Sequence, residues 1–423
     1  MGHKRTLNFS FADGTMDEGK MQRALSLAAG KNTCSGRMRR SRKRWIDYIR
    51  SCETMRIIKK SLITVAMLAF ACIGFGQPLA KVDAMLEAVF PKTELGIAIE
   101  IIDDGKVVFS NGYDLSDLSS VKGITAATNF NIASLTKQFT AVGILYLQEK
   151  GKLKLSDTFA RYFPDMNPKV SKKVTVKQLL SHSSGILDHY SYVKTEGLAH
   201  GYARQVYEAI RDKDSLYFEP GSAFRYSNTA YCLLALIIEK ISGLSYADFM
   251  QRFIFSKAGM ANTAVWQENR PIARQATGYD RDSSTGQFRK SQAEEHVFFS
   301  TEGDRAIYTS PADYGKWFQA LQRNRIISSR SLLAARSVQH PITSHLGYGY
   351  GWFVDKEHYP AYVYHSGDNG GFRTYSFTVP AMDYMVVVFA NRSDVNIENL
   401  VRQINKILHP EWAPFAPIEA QTS

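Results

Sequence analysis

The sequence predicts an α/β protein of the α+β kind, with one antiparallel sheet assembled from both chain ends, flanked by helices, plus an all-helical insertion. Strand-like patterns of period two occur at about 95–111 and again at 362–390. Between about 151 and 341 the pattern changes to helices separated by polar loops. The sheet part therefore comprises about 77–150 and 342–423, around a helical middle.

The first strands of this sheet are predicted to form a hairpin. Leu95–Ile102 and Lys106–Asn111 are strand-like runs, and Asp103-Asp104-Gly105 between them is a turn signal. Leu79–Phe90, just before them, has helical spacing.

The remaining elements follow from the same two periodicities. The helices predicted in the middle of the chain are Val176–Leu180, Ala203–Ile210, Thr229–Ile241, Tyr246–Phe253 and Ala312–Leu321. The elements predicted at the C-terminal end are the strands Tyr362–His365, Arg373–Val379 and Tyr384–Ala390 and the helix Ile397–Leu408.

The basic charge of the chain is confined to its N-terminal end. The 423 residues are 44% hydrophobic and carry a net charge of +12, of which residues 1–60 contribute +10 and 61–76 contribute none. The rest of the chain is then nearly neutral, at +2. Because nucleic-acid binding needs a basic footprint, we expect no nucleic-acid partner for the main body.

Residues 55–76 have the form of a signal peptide. A basic segment, Met55–Lys60, precedes the apolar run Leu62–Phe75, and small residues close it near Gly76. We therefore expect a periplasmic or secreted protein, or one anchored by this segment if it is not cleaved. Residues 1–54 are then a non-functional or disordered extension, and the membrane is a partner only through residues 55–76.

Cysteine and histidine positions argue against a metal enzyme. Cys34, Cys52 and Cys72 precede the predicted mature chain, which keeps only Cys232 in an apolar helical context. The sequence contains no His-x-x-x-His pair of the kind that metallohydrolases use. We expect no metal, no other cofactor and a monomeric protein.

Ser134 and Lys137 stand three residues apart at the start of a long apolar helical pattern that ends near Gly151. At this spacing both side chains lie on one helix face, so the lysine reaches the serine hydroxyl. A base that takes its proton turns a serine into a nucleophile. The same motif also occurs at Ser119 and Ser191 in polar surroundings, so this match needs partners elsewhere in the chain.

Tyr226 and Asn228 form the only Tyr-x-Asn in the chain, on a turn-rich loop that runs into a predicted helix. A tyrosine near a lysine exchanges its proton more easily than a free phenol, so it can act as a general base and then as an acid. The asparagine amide both donates and accepts, and so can orient the lysine and a substrate carbonyl. The alternative is an ordinary capped loop.

His365-Ser366-Gly367 ends a predicted strand. A small residue such as Gly367 lets a substrate backbone lie against the strand edge, whose N–H groups can face an oxyanion. Ser366 and Gly367 are therefore candidate substrate-binding residues. The alternative is a histidine on the surface at a strand end.

Together, the order and context of these three motifs resemble those of the penicillin-recognising serine enzymes. The chain from Val82 to Leu408 is similar to the class C β-lactamase family and its relatives, which include D-alanyl-D-alanine peptidases, D-aminopeptidases and lactamase-like esterases. Further stretches carry the likeness: Gln178–Ile186, Pro220–Asn228, Lys257–Met260, Tyr348–Trp352 and Gly370–Phe372.

This resemblance implies a β-lactamase/transpeptidase-like fold and a small-molecule or peptide substrate. It implies that Ser134 is acylated, that Lys137 and Tyr226 share the proton transfers, with either of them as the base, and that Asn228 orients. It also implies an oxyanion hole made by the backbone N–H groups of Ser134 and Asp368.

One residue departs from the pattern of class C β-lactamases, which carry lysine where this chain has His365. A neutral imidazole is weaker than an ammonium group at holding a substrate carboxylate. The expected function is therefore an exported serine hydrolase acting on a D-alanyl peptide, a β-lactam or a small ester. The alternative is a protein that binds penicillin or cell-wall peptide without hydrolysing it.

Overall fold

The computed structural model describes most of the predicted mature chain. The predicted extension and signal peptide lie outside the described residues, apart from Gly76. The described residues are 76–412, except 91, 92, 121, 195, 197, 199 and 359.

Fifteen strands are defined within this part of the chain. They are β1 Ile97–Asp103, β2 Lys106–Tyr113, β3 Leu115–Asp117, β4 Lys122–Gly123, β5 Phe130–Asn131, β6 Ala264–Val265, β7 Tyr279–Arg281, β8 Phe288–Lys290, β9 Ile307–Thr309, β10 His340–Pro341, β11 Leu346–Tyr348, β12 Phe353–Asp355, β13 Tyr362–Asn369, β14 Phe372–Val379 and β15 Tyr384–Ala390.

The α-helices lie mostly between the two groups of long strands. They are α1 (residues 76–89), α2 Thr136–Glu149, α3 Pro168–Ser171, α4 Val176–Leu180, α5 Ala203–Ile210, α6 Asn228–Ser242, α7 Tyr246–Phe249, α8 Ser256–Ala258, α9 Pro311–Gln322, α10 Ser329–Ala335 and α11 Ile397–Leu408. The other helical segments are the 3-10 turns Ala133–Leu135, Phe159–Arg161, His189–Ser191, Gln292–Glu295 and Pro380–Met382 and the π-helix Met250–Phe255.

An eight-stranded antiparallel sheet joins the two ends of the described chain. Its strand order is β10-β11-β12-β13-β14-β15-β1-β2, and β1 pairs with β15 in the register Ile99↔Val388. The turn between β1 and β2 has positive φ at both Asp104 and Gly105, which is the geometry of tight hairpin turns. The predicted hairpin and the predicted pairing of the chain ends are confirmed.

Helices cover both faces of this sheet. Alternate residues of β15 point to opposite faces, so Val387 packs with the core that contains α2 and α9, while Val388 packs with α1 and α11. All seven residues of β15 are buried, which explains its continuous apolar sequence. The sheet therefore lies between two helical layers.

The middle of the chain is not all-helical, contrary to the sequence prediction. It contributes β6 and β9 to a small sheet of order β5-β9-β6, and β7 pairs with β8. It also supplies β10, at the edge of the large sheet. These strands have only two or three residues each, too few to leave an alternating pattern in the sequence.

A membrane-crossing helix is not evident in the described part of the chain, where no single helix is long and apolar enough. Asn228–Ser242 and Tyr246–Ala258 meet the length and hydropathy criteria only when joined, across a bend of 75°.

Candidate active site

Ser134 lies in the 3-10 turn that leads into α2. The preceding residue, Ala133, has a φ of +49°, a left-handed conformation that costs an alanine about 1–3 kcal/mol. The Ala133 N–H donates to Asn131 Oδ1 at 2.8 Å, which helps to hold this strained turn. Because the first N–H groups of a helix have no intrahelical acceptor, the N–H of Ser134 is suited to stabilise negative charge.

The Lys137 amine lies directly against the serine. Its Nζ atom donates to Ser134 Oγ at 2.9 Å, to Asn228 Oδ1 at 2.8 Å and to the backbone oxygen of Asp304 at 3.3 Å. Burial lowers the pKa of Lys137 to about 7, although the nearby Asp304 carboxylate opposes this shift. The three donated hydrogen bonds belong to the ammonium form. With a pKa of about 7 the amine can also be neutral near neutral pH, and its lone pair then accepts from the Ser134 hydroxyl across the same 2.9 Å contact.

Tyr226, from the middle part of the chain, lies beside Lys137. The Lys137 Nζ atom lies 4.8 Å from the centre of the Tyr226 ring. Burial raises the pKa of Tyr226 above its ordinary value, and a hydrogen bond with the Ser134 side chain lowers it in part. The phenol therefore remains protonated near neutral pH, which suits it to donate a proton.

His182 fixes the loop that carries Tyr226 and Asn228. The imidazole of His182 packs on the Tyr226 ring with a centroid distance of 4.3 Å, and its Nδ1 accepts from the Ser227 N–H at 3.0 Å. Ser227 in turn caps α6 by accepting from the Ala230 N–H. These contacts place Asn228 at the first position of α6, beside Lys137.

Strand β13 passes along the serine turn with its glycine in contact. A Cβ atom on Gly367 would lie 2.6 Å from the backbone oxygen of Ile132 and 3.0 Å from the Cβ atom of Ala133. Strand β12 pairs only with Tyr362, Val363 and Tyr364, so the later part of β13 has one edge without a strand partner among the described residues.

Asp368 lies on this later part of β13, which pairs with β14 on its other edge. Its carboxylate is exposed and forms an ion pair with Arg373 at 2.6 Å. The backbone groups at a free strand edge are available for a ligand. The side chain of Ser366 alternates to the face opposite that of Gly367 and is half-buried.

His365 lies within the site but is fully buried. Its Nδ1 lies 2.7 Å from the backbone oxygen of Ser366, so this nitrogen carries the proton, and its Nε2 accepts from the Tyr348 hydroxyl at 3.2 Å. Burial, followed by the charge of Lys137, lowers the pKa of His365 to about 3. The imidazole is therefore neutral and supports the strand from within, rather than presenting itself to a substrate.

Asp304 is a site residue that the sequence analysis did not identify. Its carboxylate is fully buried and accepts from Arg305 Nε at 2.8 Å, from the Thr301 hydroxyl and from Cys232 Sγ at 3.5 Å. Burial would raise the pKa of Asp304, but Arg305 and Lys137 hold it below its ordinary value. The group is therefore a charged carboxylate behind Lys137.

A family model described as "Beta-lactamase" matches residues 86–406 of this chain. The chain belongs to the beta-lactamase family. The predicted family resemblance and the predicted β-lactamase/transpeptidase-like fold are confirmed, and the chain is a serine hydrolase of this fold.

Two curated relatives of this beta-lactamase family member match it over more than two thirds of the chain. Penicillin-binding protein 4* of Bacillus subtilis (strain 168) is 30% identical over 308 residues, which cover 69% of this chain and 67% of the relative. Protein flp of Staphylococcus aureus (strain N315) is 28% identical over 352 residues, which cover 80% of this chain and 68% of the relative.

Solved structures also resemble this beta-lactamase family member. The octameric penicillin-binding protein homologue from Pyrococcus abyssi is 25% identical with a TM-score of 0.66, over 78% of this chain and 76% of that one. D-amino acid amidase from Ochrobactrum anthropi SV3, in complex with L-phenylalanine amide, has a TM-score of 0.68 over 79% of this chain and 99% of that one. At 21% identity, the amidase shows a shared fold only.

The beta-lactamase family fold thus brings Ser134, Lys137, Tyr226 and Asn228 together from two helix starts and a loop. Within the described residues, no group of three or more His, Cys, Asp or Glu side chains is arranged to hold a metal ion. The arrangement is suited to acyl transfer by a serine and a neutral amine.

Proposed function

We propose that this protein is an exported serine hydrolase that cleaves an amide or ester through an acyl-enzyme on Ser134. The observation that carries the proposal is the 2.9 Å contact between Ser134 Oγ and a fully buried Lys137 amine with a pKa of about 7. Such an amine can accept the hydroxyl proton as the serine attacks.

The proposed reaction has two halves. Lys137 takes the proton of Ser134 while Oγ bonds to the substrate carbonyl carbon, and the backbone N–H groups of Ser134 and Asp368 stabilise the oxyanion. Tyr226 passes its proton to the leaving group and is reprotonated from Lys137 as the carbon–leaving-group bond breaks. Water then attacks the acyl-enzyme, releases the acid and restores Ser134.

The substrate class that we propose is a D-alanyl peptide, a β-lactam or a small ester, acted on by an enzyme related to class C β-lactamases. The relationship to penicillin-binding protein 4* supports this class of acyl donor. Export is supported by the signal-peptide form of residues 55–76. A first residue near Gln77 in the mature protein, and a monomer by light scattering, are the expected results.

A second candidate function is a protein that is acylated by penicillin or cell-wall peptide but releases the product slowly. It is favoured by the buried, neutral His365, which offers no cation to a substrate carboxylate. Such a protein would be trapped as the acyl-enzyme.

The test is a comparison of the purified protein with Ser134→Ala on a chromogenic cephalosporin, a short acyl ester and a D-Ala-D-Ala peptide. Turnover that depends on Ser134 supports the hydrolase. Labelling by a fluorescent penicillin without turnover supports the second candidate. If neither turnover nor labelling depends on Ser134, both are wrong.

A further inference from the structure

We propose that Arg305 forms an anion-binding subsite beside Ser134 and selects substrates whose acyl group carries a carboxylate. This inference rests on the proposed acyl transfer, and it names a substrate class for the same site. It concerns a residue that no sequence motif identifies.

The position of Arg305 follows from the backbone that carries it. The Ile132 N–H donates to the Ile307 oxygen at 3.0 Å, and the Ile307 N–H donates to Thr136 Oγ1 at 3.3 Å. The backbone oxygen of Asp304 accepts from Lys137 Nζ at 3.3 Å. The segment from 304 to 307 therefore runs alongside the serine turn, with Arg305 next to the residue that contacts Lys137.

The Arg305 guanidinium has hydrogen-bond donors that no described residue accepts from. It donates from Nε to Asp304 and from Nη2 to the Tyr190 hydroxyl. A guanidinium has five N–H bonds, so three have no hydrogen-bond partner among the described residues. The Arg305 side chain is 18% exposed and bonds to Tyr190, which is 43% exposed, so part of the Arg305 side chain is open to solvent.

Asp304 and Tyr190 hold the Arg305 guanidinium in one orientation. The Asp304 carboxylate is fully buried and accepts from the Thr301 hydroxyl, and the Tyr190 hydroxyl accepts from Nη2 of the guanidinium. A fixed guanidinium presents parallel N–H bonds that match the two oxygens of a carboxylate. The same geometry also fits a phosphate, and for the acyl chain of an amide or ester the ligand that we propose is a carboxylate.

Other cationic groups near the site are less suited to this task. His365 is neutral and buried, so it presents no charge to a substrate. Arg373, which lies on β14 opposite Asp368, donates from Nη1 to the Asp368 carboxylate and to the backbone oxygens of Gly370 and Phe372. Arg373 also keeps donors without a hydrogen-bond partner among the described residues, and its side chain is 23% exposed. It differs from Arg305 in position, because it pairs with Asp368, whereas Arg305 directly follows the residue whose backbone oxygen contacts Lys137.

The test compares two esters that differ by one charge. The 4-nitrophenyl monoester of glutaric acid and its methyl ester share the leaving group and the acyl chain, but only the first ends in a carboxylate. The quantity measured is the ratio of kcat/KM for the acid to kcat/KM for the methyl ester. A third ester, 3-acetoxybenzoic acid, places its carboxylate on the leaving group instead.

Arg305→Met is expected to lower this ratio about 10- to 100-fold, the effect of losing a charged hydrogen-bonding pair. Tyr190→Phe, an exposed change that leaves Arg305 in place, is expected to lower it severalfold because the guanidinium loses its outer support. Arg161→Met, which removes an exposed arginine paired with Asp157, is the matched control and leaves the ratio unchanged. Use of the ratio cancels any general effect of Arg305 on Lys137.

An unchanged ratio in both Arg305→Met and Tyr190→Phe would overturn the subsite. If only 3-acetoxybenzoic acid responds to Arg305→Met, the carboxylate selected is that of the leaving group and the proposal is wrong in its substrate class. If Arg305→Met does not fold, Tyr190→Phe decides alone. Absence of Ser134-dependent turnover of every ester would instead refute the proposed function, which is a separate result.

Discussion

The Nζ atom of Lys137 lies 2.9 Å from the Oγ atom of Ser134, in a buried environment that lowers the pKa of the amine to about 7. Below that pH the group is an ammonium ion and cannot take the serine proton. We expect kcat/KM on a neutral ester to rise with pH through about 7. Lys137→Arg, which stays protonated, should lower kcat/KM roughly 10²- to 10⁴-fold. A profile that is flat between pH 5 and 9 would contradict this role.

The buried carboxylate of Asp304 raises the pKa of Lys137 and so opposes the effect of burial. Asp304→Asn removes that charge and leaves Arg305 uncompensated, and both changes favour the neutral amine. We expect the acidic limb of the pH–rate profile to move to lower pH. Thr301→Val, which removes a hydrogen bond to Asp304 but keeps the carboxylate, should leave the limb nearly in place. Movement of the limb to higher pH in Asp304→Asn would refute this effect.

His365 is neutral at any pH near 7 because burial lowers its pKa to about 3. We therefore expect His365→Gln to leave the acidic limb near pH 7 unmoved, even if overall activity falls. His365→Lys would bury a second cation beside Lys137, at a cost of about 3–5 kcal/mol in the free energy of unfolding. Urea denaturation measures that cost, and a His365→Lys variant as stable as the parent would show that the site is open to solvent.

Gly367 lets β13 approach the serine turn. An alanine Cβ there would lie 2.2 Å from Thr374 Oγ1 and 2.6 Å from the Ile132 oxygen, so the strand must move away from Ser134. We expect Gly367→Ala to lower kcat/KM at least tenfold and the free energy of unfolding by about 1–3 kcal/mol. Gly123→Ala is the control, since its Cβ would meet nothing closer than 4.0 Å. Equal activity in the two variants would mean that β13 does not form the site.

The raised pKa of Glu100 makes the free energy of unfolding depend on pH. Glu100 is buried on β1, and burial raises its pKa from about 4.5 to about 7, although Ser110 and Lys316 oppose the shift. The folded state then binds a proton that the unfolded state releases, so stability should fall as pH rises from about 4.5 to 7. The loss is at most about 3 kcal/mol. Burial also raises the pKa of Glu302 to about 7 and of Asp114 to about 6, so these groups contribute to the same slope. Glu100→Gln should therefore make the slope in urea titrations shallower, and an unchanged slope would assign it to the other groups.

Long, locally periodic elements were predictable from the sequence. Strand Tyr384–Ala390 and helix Ile397–Leu408 have the predicted bounds because their apolar spacing is set by the faces that they bury. Pairings such as Asn131↔Tyr308 were not predictable, because the strands are two or three residues long and lie far apart in the chain.

The same distinction applies to the site. Ser134, Lys137, Tyr226 and Asn228 stand in short motifs, so the sequence identified them before their contacts were known. Asp304 and Arg305 have no motif, and their position depends on the long-range pairing of β9 with β5. The burial of His365 depends on how β11 and β12 pack Tyr348 and Phe353 against it, which the spacing of residues along β13 does not indicate. The contacts of Asp304, Arg305 and His365 therefore extend the site beyond what residue spacing alone can indicate.

Acylation of Ser134 is tested directly by acid quenching during the first turnovers of a 4-nitrophenyl ester, followed by peptide mass mapping. Acylation at Ser134 predicts a burst of nitrophenol that approaches one equivalent of protein, with the acyl mass on the peptide that contains Ser134. Ser134→Ala should show neither the burst nor the adduct. Undiminished turnover in Ser134→Ala, or an adduct on another residue, would contradict acylation at Ser134.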